Sequence, residues 1–168
     1  MQIKKIYYVY LALVIVVFIT GAFLYYQNYK LQQLYAFHST DLNMSGLCSP
    51  GKPTLVIYYA DSCTTCTSTL DSFKNVTSLF GVWGNNTFYS GYFCAWAFNI
   101  SNYNNNVSSN IPDSAVSLYN SIGENKIPLI IFNGEYYKIG GFRNNQTAYN
   151  DILNYICLST NDSDPQCT

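Results

Sequence analysis

Apolar positions fall along this chain in three patterns. From Ile6 to Tyr26 they are almost continuous, and no charged residue appears before Lys30 once Lys5 is passed. From Thr54 to Ala60 they run without a break for the length of one strand, as in a strand covered on both faces. After Asp61-Ser62 the spacing changes to Leu70, Phe73, Val76 and Leu79/Phe80, which predicts a helix from about Cys63 to Phe80, ended by Gly81 and Gly84. Asn85 to Thr87 reads as a turn, and Phe88 to Ile100 as a second strand, best from Phe93 to Asn99. Ser101 to Pro112 is an Asn/Ser-rich loop. Asp113 caps a short helix over Ser114–Ile122, closed by Gly123. Ile127–Phe132 is a third strand that opens on a proline. Asn133-Gly134 is a hairpin turn, Glu135–Gly140 the return strand, and Thr147–Leu158 a last helix.

The first run has the length of a bilayer crossing, which takes about 20 residues as a helix. Tyrosines stand at both of its ends, at Tyr7, Tyr8 and Tyr10, then at Tyr25, Tyr26 and Tyr29. Lys4 and Lys5 precede it and Lys30 follows, a small bias toward an inside N-terminus. The expected organisation is a stub and transmembrane signal-anchor over 1–29, a linker over 30–51, one α/β domain over 52–158 and a polar tail over 159–168. The alternative is a secretory signal cleaved near Thr20-Gly21-Ala22, leaving a secreted domain. Both readings put the domain outside the cytoplasm; a buried soluble helix is a third reading, which does not.

Composition sharpens this picture. The chain is 10% charged with net charge −1, against about 25% charged in a typical soluble domain. It has no basic patch to neutralise phosphates, so nucleic acid is not the expected partner. Seven Asn-x-Ser/Thr sequons begin at Asn43, Asn75, Asn85, Asn99, Asn106, Asn145 and Asn161, all after the apolar segment. Composition alone would give about three, and the motif marks acceptors of N-linked glycans. The lone histidine, His38, has no role assigned to it.

The chemistry sits in Cys63-Thr64-Thr65-Cys66, at the junction of strand and helix. Free backbone N–H groups and the dipole at a helix start stabilise a thiolate there, which makes Cys63 the expected nucleophile. Cys66, one turn on, is the expected resolving thiol. The Thr64 and Thr65 hydroxyls can donate to a thiolate but bring no charge. Zinc would need four ligands, and the other cysteines and His38 are scattered, so neither metal nor cofactor is expected. An inert disulfide is the bland alternative.

In this order, with this punctuation, residues 52 to 158 resemble the thioredoxin-like family. The matching features are the strand Thr54–Ala60, the motif Cys63–Cys66, Ile127-Pro128, the turn Asn133-Gly134, Gly140-Gly141 and the final helix. The resemblance implies a central mixed sheet flanked by helices. It also implies a cis Pro128 beside the cysteine pair, with Ile127, Pro128 and Gly141 forming a groove for an extended substrate segment. There are departures. Ile57 stands where cytosolic thioredoxins have a buried acid, Ser62 where they have tryptophan, and Thr64-Thr65 where they have Gly-Pro.

Cys48, Cys94, Cys157 and Cys167 allow three pairings. In a sheet of the family's type the strands at Thr54 and Phe93 are parallel neighbours, which favours Cys48–Cys94 and leaves Cys157–Cys167. Both are expected to be structural, and four cysteines beyond the motif fit an oxidising compartment. The functional expectation is an extracytoplasmic oxidoreductase that forms or isomerises disulfides in protein substrates. By the resemblance, an integral membrane thiol oxidase of the vitamin K epoxide reductase type would recharge it. The alternatives are a dedicated reductase, for apocytochrome c for example, fed by a membrane electron carrier, and a redox-inert binding module.

Overall fold

The structure, a computed structural model, describes residues 2–101, 111–122 and 126–167, without the side chains of 2–12 and 30–35. The chain forms two compact units, Met1–Ala36 and Phe37–Thr168.

The first unit is one helix, α1 (Gln2–Tyr35). Its described side chains, 13–29, are all exposed, including Leu13 to Ile19, Phe23 and Leu24. The expected membrane span lies inside α1, but its residues 6–12 are outside the described side chains. Among the described residues, no helix is long and apolar enough to cross a membrane.

The second unit is an α/β fold on one mixed sheet. Its strands are β1 (His38–Ser39), β2 (Thr54–Tyr59), β3 (Val82–Trp83), β4 (Thr87–Tyr89), β5 (Cys94–Asn99), β6 (Leu129–Phe132) and β7 (Tyr136–Ile139). They lie in the order β1-β7-β6-β2-β5-β4-β3. The sheet's helices are α2 (Thr64–Thr77), α3 (Asp113–Ser121) and α4 (Asn145–Ser159). The central strand β2 pairs in parallel with β5 and antiparallel with β6.

Its uninterrupted apolar run is explained by two cores. Leu55 and Ile57 face one core with Phe73 and Val76 of α2 and Ile152 and Ile156 of α4. Val56 and Tyr58 face the other, with Ala115, Leu118 and Tyr119 of α3. Burying such a side chain contributes about 1.5–3 kcal/mol, so both faces hold β2 in place. The Tyr58 hydroxyl, deep in the second core, donates to the Ala115 carbonyl at 2.7 Å. Burial, with Tyr119 beside it, raises the Tyr58 pKa well above the ordinary phenol value.

Two stretches differ from the sequence expectation. Residues 37–51, inside the expected linker, are packed onto the sheet. The Thr40 and Leu42 amides donate to the Glu135 and Gly134 carbonyls at 2.8 and 2.9 Å. Phe37 packs against Phe132, Phe142 and Tyr155, and Leu47 is buried, its carbonyl held by the Trp96 indole at 2.8 Å. The expected strand over 88–100 is broken at Ser90-Gly91, giving the hairpin of β4 and β5, and β3 adds a further turn of the meander. Gly81 permits this: a Cβ there would meet the Tyr89 carbonyl and would lie 2.8 Å from Phe88 Cζ.

Smaller differences lie at helix ends. α3 is capped by Pro112 without a side-chain bond, and Asp113 sits in its first turn, where the dipole favours a negative charge. Gly123 and the sequon at Asn106 fall outside the described residues. Asn144 caps α4, its side-chain Oδ1 accepting the Thr147 amide at 2.8 Å. The tail folds back as a short 3-10 turn, Pro165–Cys167.

Candidate redox site

β2 ends at Tyr59 and the chain turns through Ala60-Asp61-Ser62 into α2. Cys63 is the N-cap of α2, with extended backbone (φ −104°, ψ 106°). Its Sγ accepts the Cys66 amide at 3.1 Å and lies 3.4 Å from the Thr65 hydroxyl. A cap residue normally offers an oxygen to those unpaired amides; here a sulfur takes that place. Cys63 and Cys66 are joined in a disulfide, with Cα atoms 5.1 Å apart. Cys63 is partly exposed and Cys66 fully buried. An incoming sulfur can therefore reach only one end of the bond.

The two residues between the cysteines are uncharged. Thr64 and Thr65 are exposed, and the Thr69 hydroxyl donates to the Thr65 carbonyl at 2.8 Å. Gly141, after β7, lies against this turn. A Cβ placed on it would stand 3.4 Å from Thr69 Oγ1 and 3.5 Å from Thr65 Cβ. The Ile127-Pro128 bond is cis, and Pro128 is buried, its carbonyl accepting the Gly140 amide at 2.7 Å. Because Leu129 pairs with Tyr58, Ile127-Pro128 lies at the same end of the sheet as Cys63. Register and packing thus place Cys63, Cys66, Thr65, Gly141 and Ile127-Pro128 around one end of β2.

Ile57 is fully buried, paired with Ala97 and Ile130. Continuing the row across the sheet, Ile130 pairs with Lys138. Lys138 is fully buried beneath the rings of Phe37 and Phe142, with Nζ 5.7 and 5.3 Å from their centroids. Burial lowers its pKa to about 8, and the nearby Asp151 carboxylate partly opposes the shift. The row that starts at Ile57 thus ends, two strands further on, in a buried base.

Sequence reasoning missed a brace beneath the site. Asn99, at the end of β5, donates from Nδ2 to Asp61 Oδ2 at 2.8 Å. The Asp61 amide donates to the Ser101 hydroxyl at 2.9 Å. Together they fix the loop that delivers Cys63. Tyr59, next to it, has its pKa raised by burial and then by the Asp61 charge. The available signal was the alignment of the ends of β2 and β5, since Tyr59 pairs with Asn99.

The remaining cysteines lie elsewhere. Cys48–Cys94 bridges the opposite end of β2, where Thr54 pairs with Cys94, with Cα atoms 6.2 Å apart. Cys157–Cys167 ties the tail to α4 across 5.5 Å. Donor atoms of Cys157, Asp162 and Cys167 lie within 4.8 Å of one another, but both sulfurs are committed to the disulfide. Three disulfides fit an oxidising, extracytoplasmic environment. No protein-family model and no curated protein matches this chain.

Proposed function

We propose that the chain is an extracytoplasmic thiol–disulfide oxidoreductase of thioredoxin-like type that forms or isomerises disulfides in protein substrates. One observation carries the reading: Cys63, partly exposed, caps α2 and takes the Cys66 amide on its sulfur, while Cys66 is buried. A substrate thiolate attacks Cys63 Sγ, a mixed disulfide forms and Cys66 leaves as thiolate. A second substrate thiolate then displaces Cys63. Two electrons have passed from the substrate dithiol to the pair, and its disulfide is restored by an oxidant, for which we propose an integral membrane thiol oxidase. The Ile127-Pro128 edge and Gly141 offer the groove in which an extended substrate segment pairs by its backbone.

The oxidising direction is favoured by the groups that stabilise a Cys63 thiolate: the Cys66 amide, the Thr65 hydroxyl and the helix N-terminus. A stabilised reduced form makes a couple more oxidising. The reading includes tethering through α1, supported by its uncharged run from Ile6 to Tyr29 and its exposed apolar side chains.

The test is oxidative refolding of a reduced protein with several disulfides. Wild type should accelerate it and Cys63→Ser should not; equal rates would sink the proposal. The reduction potential of the couple separates the two directions. A value near thioredoxin's, about −270 mV, would indicate a reductase instead. Alkylation of Cys63 after mild reduction separates both from an inert module.

A further inference from the structure

We infer that Asn85 is an N-glycosylation site whose glycan covers the exposed edge of the sheet at β3. The inference rests on the extracytoplasmic placement above but not on the redox chemistry.

β3 ends the strand order, and its outer side is unpaired among the described residues. The cross-strand pair Val82 and Tyr89 points away from the core, 72% and 68% exposed, and Leu79 just before it is exposed as well. Its neighbours alternate inward: Trp83 meets Phe73 edge-on and Phe88 at a tilt, and the Trp83 indole donates to the Thr77 hydroxyl at 2.9 Å. An apolar edge of this kind templates pairing with other chains unless charge, proline or a cover blunts it. Neither of the first two lies in the β3–β4 strands themselves, the nearest charge in sequence being Lys74 of α2, whose Nζ sits 5.2 Å from the centroid of the Trp83 ring. No charged residue occurs between Lys74 and Asp113, and no proline between Pro53 and Pro112. Shortness limits the edge but leaves its apolar pair in water.

The sequon Asn85-Asn86-Thr87 lies in the hairpin that joins the two exposed residues. The Gly84 amide closes this hairpin onto the Thr87 carbonyl at 2.8 Å, and Asn85 is exposed at its tip. No hydrogen bond occupies the Asn85 side chain among the described residues. Asn99 is the contrast: half-buried, with its Nδ2 committed to Asp61 and the hydroxyl of its sequon serine to the Asp61 amide.

The donor is a lipid-phosphate-linked oligosaccharide. Asn85 Nδ2 bonds to the anomeric carbon, the bond from that carbon to the phosphate oxygen breaks, the lipid phosphate leaves, and the amide loses one proton. No electrons are exchanged. A hydrated chain several sugars long then occupies the space over Val82 and Tyr89.

The experiment uses the full chain made in cells with a lumenal oligosaccharyltransferase and purified in detergent. Glycopeptide mass spectrometry should find Asn85 occupied and Asn99 bare. Asn85→Gln should lose one glycan and self-associate in light scattering, as should Thr87→Ala and enzymatically stripped protein. Thr87→Ser should keep both the glycan and the monomer. Val82→Lys in the Asn85→Gln background should restore the monomer, and Asn145→Gln, at the start of α4, should stay monomeric. A bare Asn85, or stripped protein as monodisperse as the glycosylated form, overturns the inference. If Asn85 is bare while other sequons are occupied, the placement stands and the inference fails; if all are bare, both fail. Thiol exchange measured on the same samples reports on the redox proposal separately.

Discussion

Replacing Thr65 by valine keeps the shape of the first turn of α2 and removes one hydroxyl. That hydroxyl lies 3.4 Å from Cys63 Sγ, while the Cys66 amide at 3.1 Å is untouched by the change. The contact matters most in the reduced protein, where the sulfur carries charge and the bond becomes charge-assisted. A hydrogen bond to a charged group contributes about 1.5–3 kcal/mol when short; at this distance and exposure we take ~1 kcal/mol. That is about fivefold in an equilibrium constant and, for a two-electron couple, ~20 mV. The sign follows from which form is stabilised: losing the donor weakens the reduced state, so the potential falls and Thr65→Val becomes less oxidising. The assay is equilibration in graded glutathione buffers with acid quenching and alkylation. Thr64→Val is the control, because the Thr64 hydroxyl makes no hydrogen bond among the described residues and should leave the potential unchanged. An unshifted Thr65→Val, or an equal shift in Thr64→Val, would refute the assignment of Thr65 as the donor.

Other expectations follow from the same structure. Lys138 has its pKa lowered to about 8 from 10.5, so between those values the unfolded chain binds more protons and stability rises with pH. The rise is at most about 3 kcal/mol. Urea unfolding across that window should show the slope in wild type and lose it in Lys138→Met. Cys157→Ala with Cys167→Ala opens a loop of sequence separation 10 and should cost about 2–3 kcal/mol in chemical denaturation, with the tail becoming open to carboxypeptidase. Asn99→Ala removes the bond to Asp61 and should slow disulfide exchange at Cys63 while costing only about 1 kcal/mol of stability; an unchanged exchange rate would show that the brace does not position the loop.

The parts of the fold legible in sequence were those with long, consistent patterns. β2 is apolar on both faces because two cores need it so, and α2 repeats its apolar positions through Phe73 and Val76. The β6–β7 hairpin announced itself in Asn133-Gly134, where Asn133 takes φ +51° and Gly134 φ +73°. β1 was hidden because His38-Ser39 carries no apolar signal; it is a strand only because the backbone of β7 is there to receive it. β3 and β4 are too short for periodicity, and the aromatic stretch after Phe88 concealed the break at Ser90-Gly91. In the site, the cysteines and their likeness to a known arrangement were visible, but the brace was not. Asn99 and Asp61 are far apart in sequence, and only the register of β2 against β5 joins them. Lys138 reads as an outward-facing strand residue until Phe37, from the stretch just after α1, is found lying over it.

β2 also acts as an insulator. One of its ends opens on Cys63–Cys66 and the other abuts Cys48–Cys94. Its six residues at about 3.3 Å each hold the two bonds on the order of 20 Å apart. Thiol–disulfide exchange proceeds only when sulfur touches sulfur. A thiolate released at Cys63 therefore cannot scramble the bridge at the other end of its own molecule, however long the pair waits in the reduced form. In dilute solution, a longer wait between reduction and reoxidation should leave Cys48–Cys94 intact, because the strand that presents the reactive bond also keeps it away from the bond that holds the sheet.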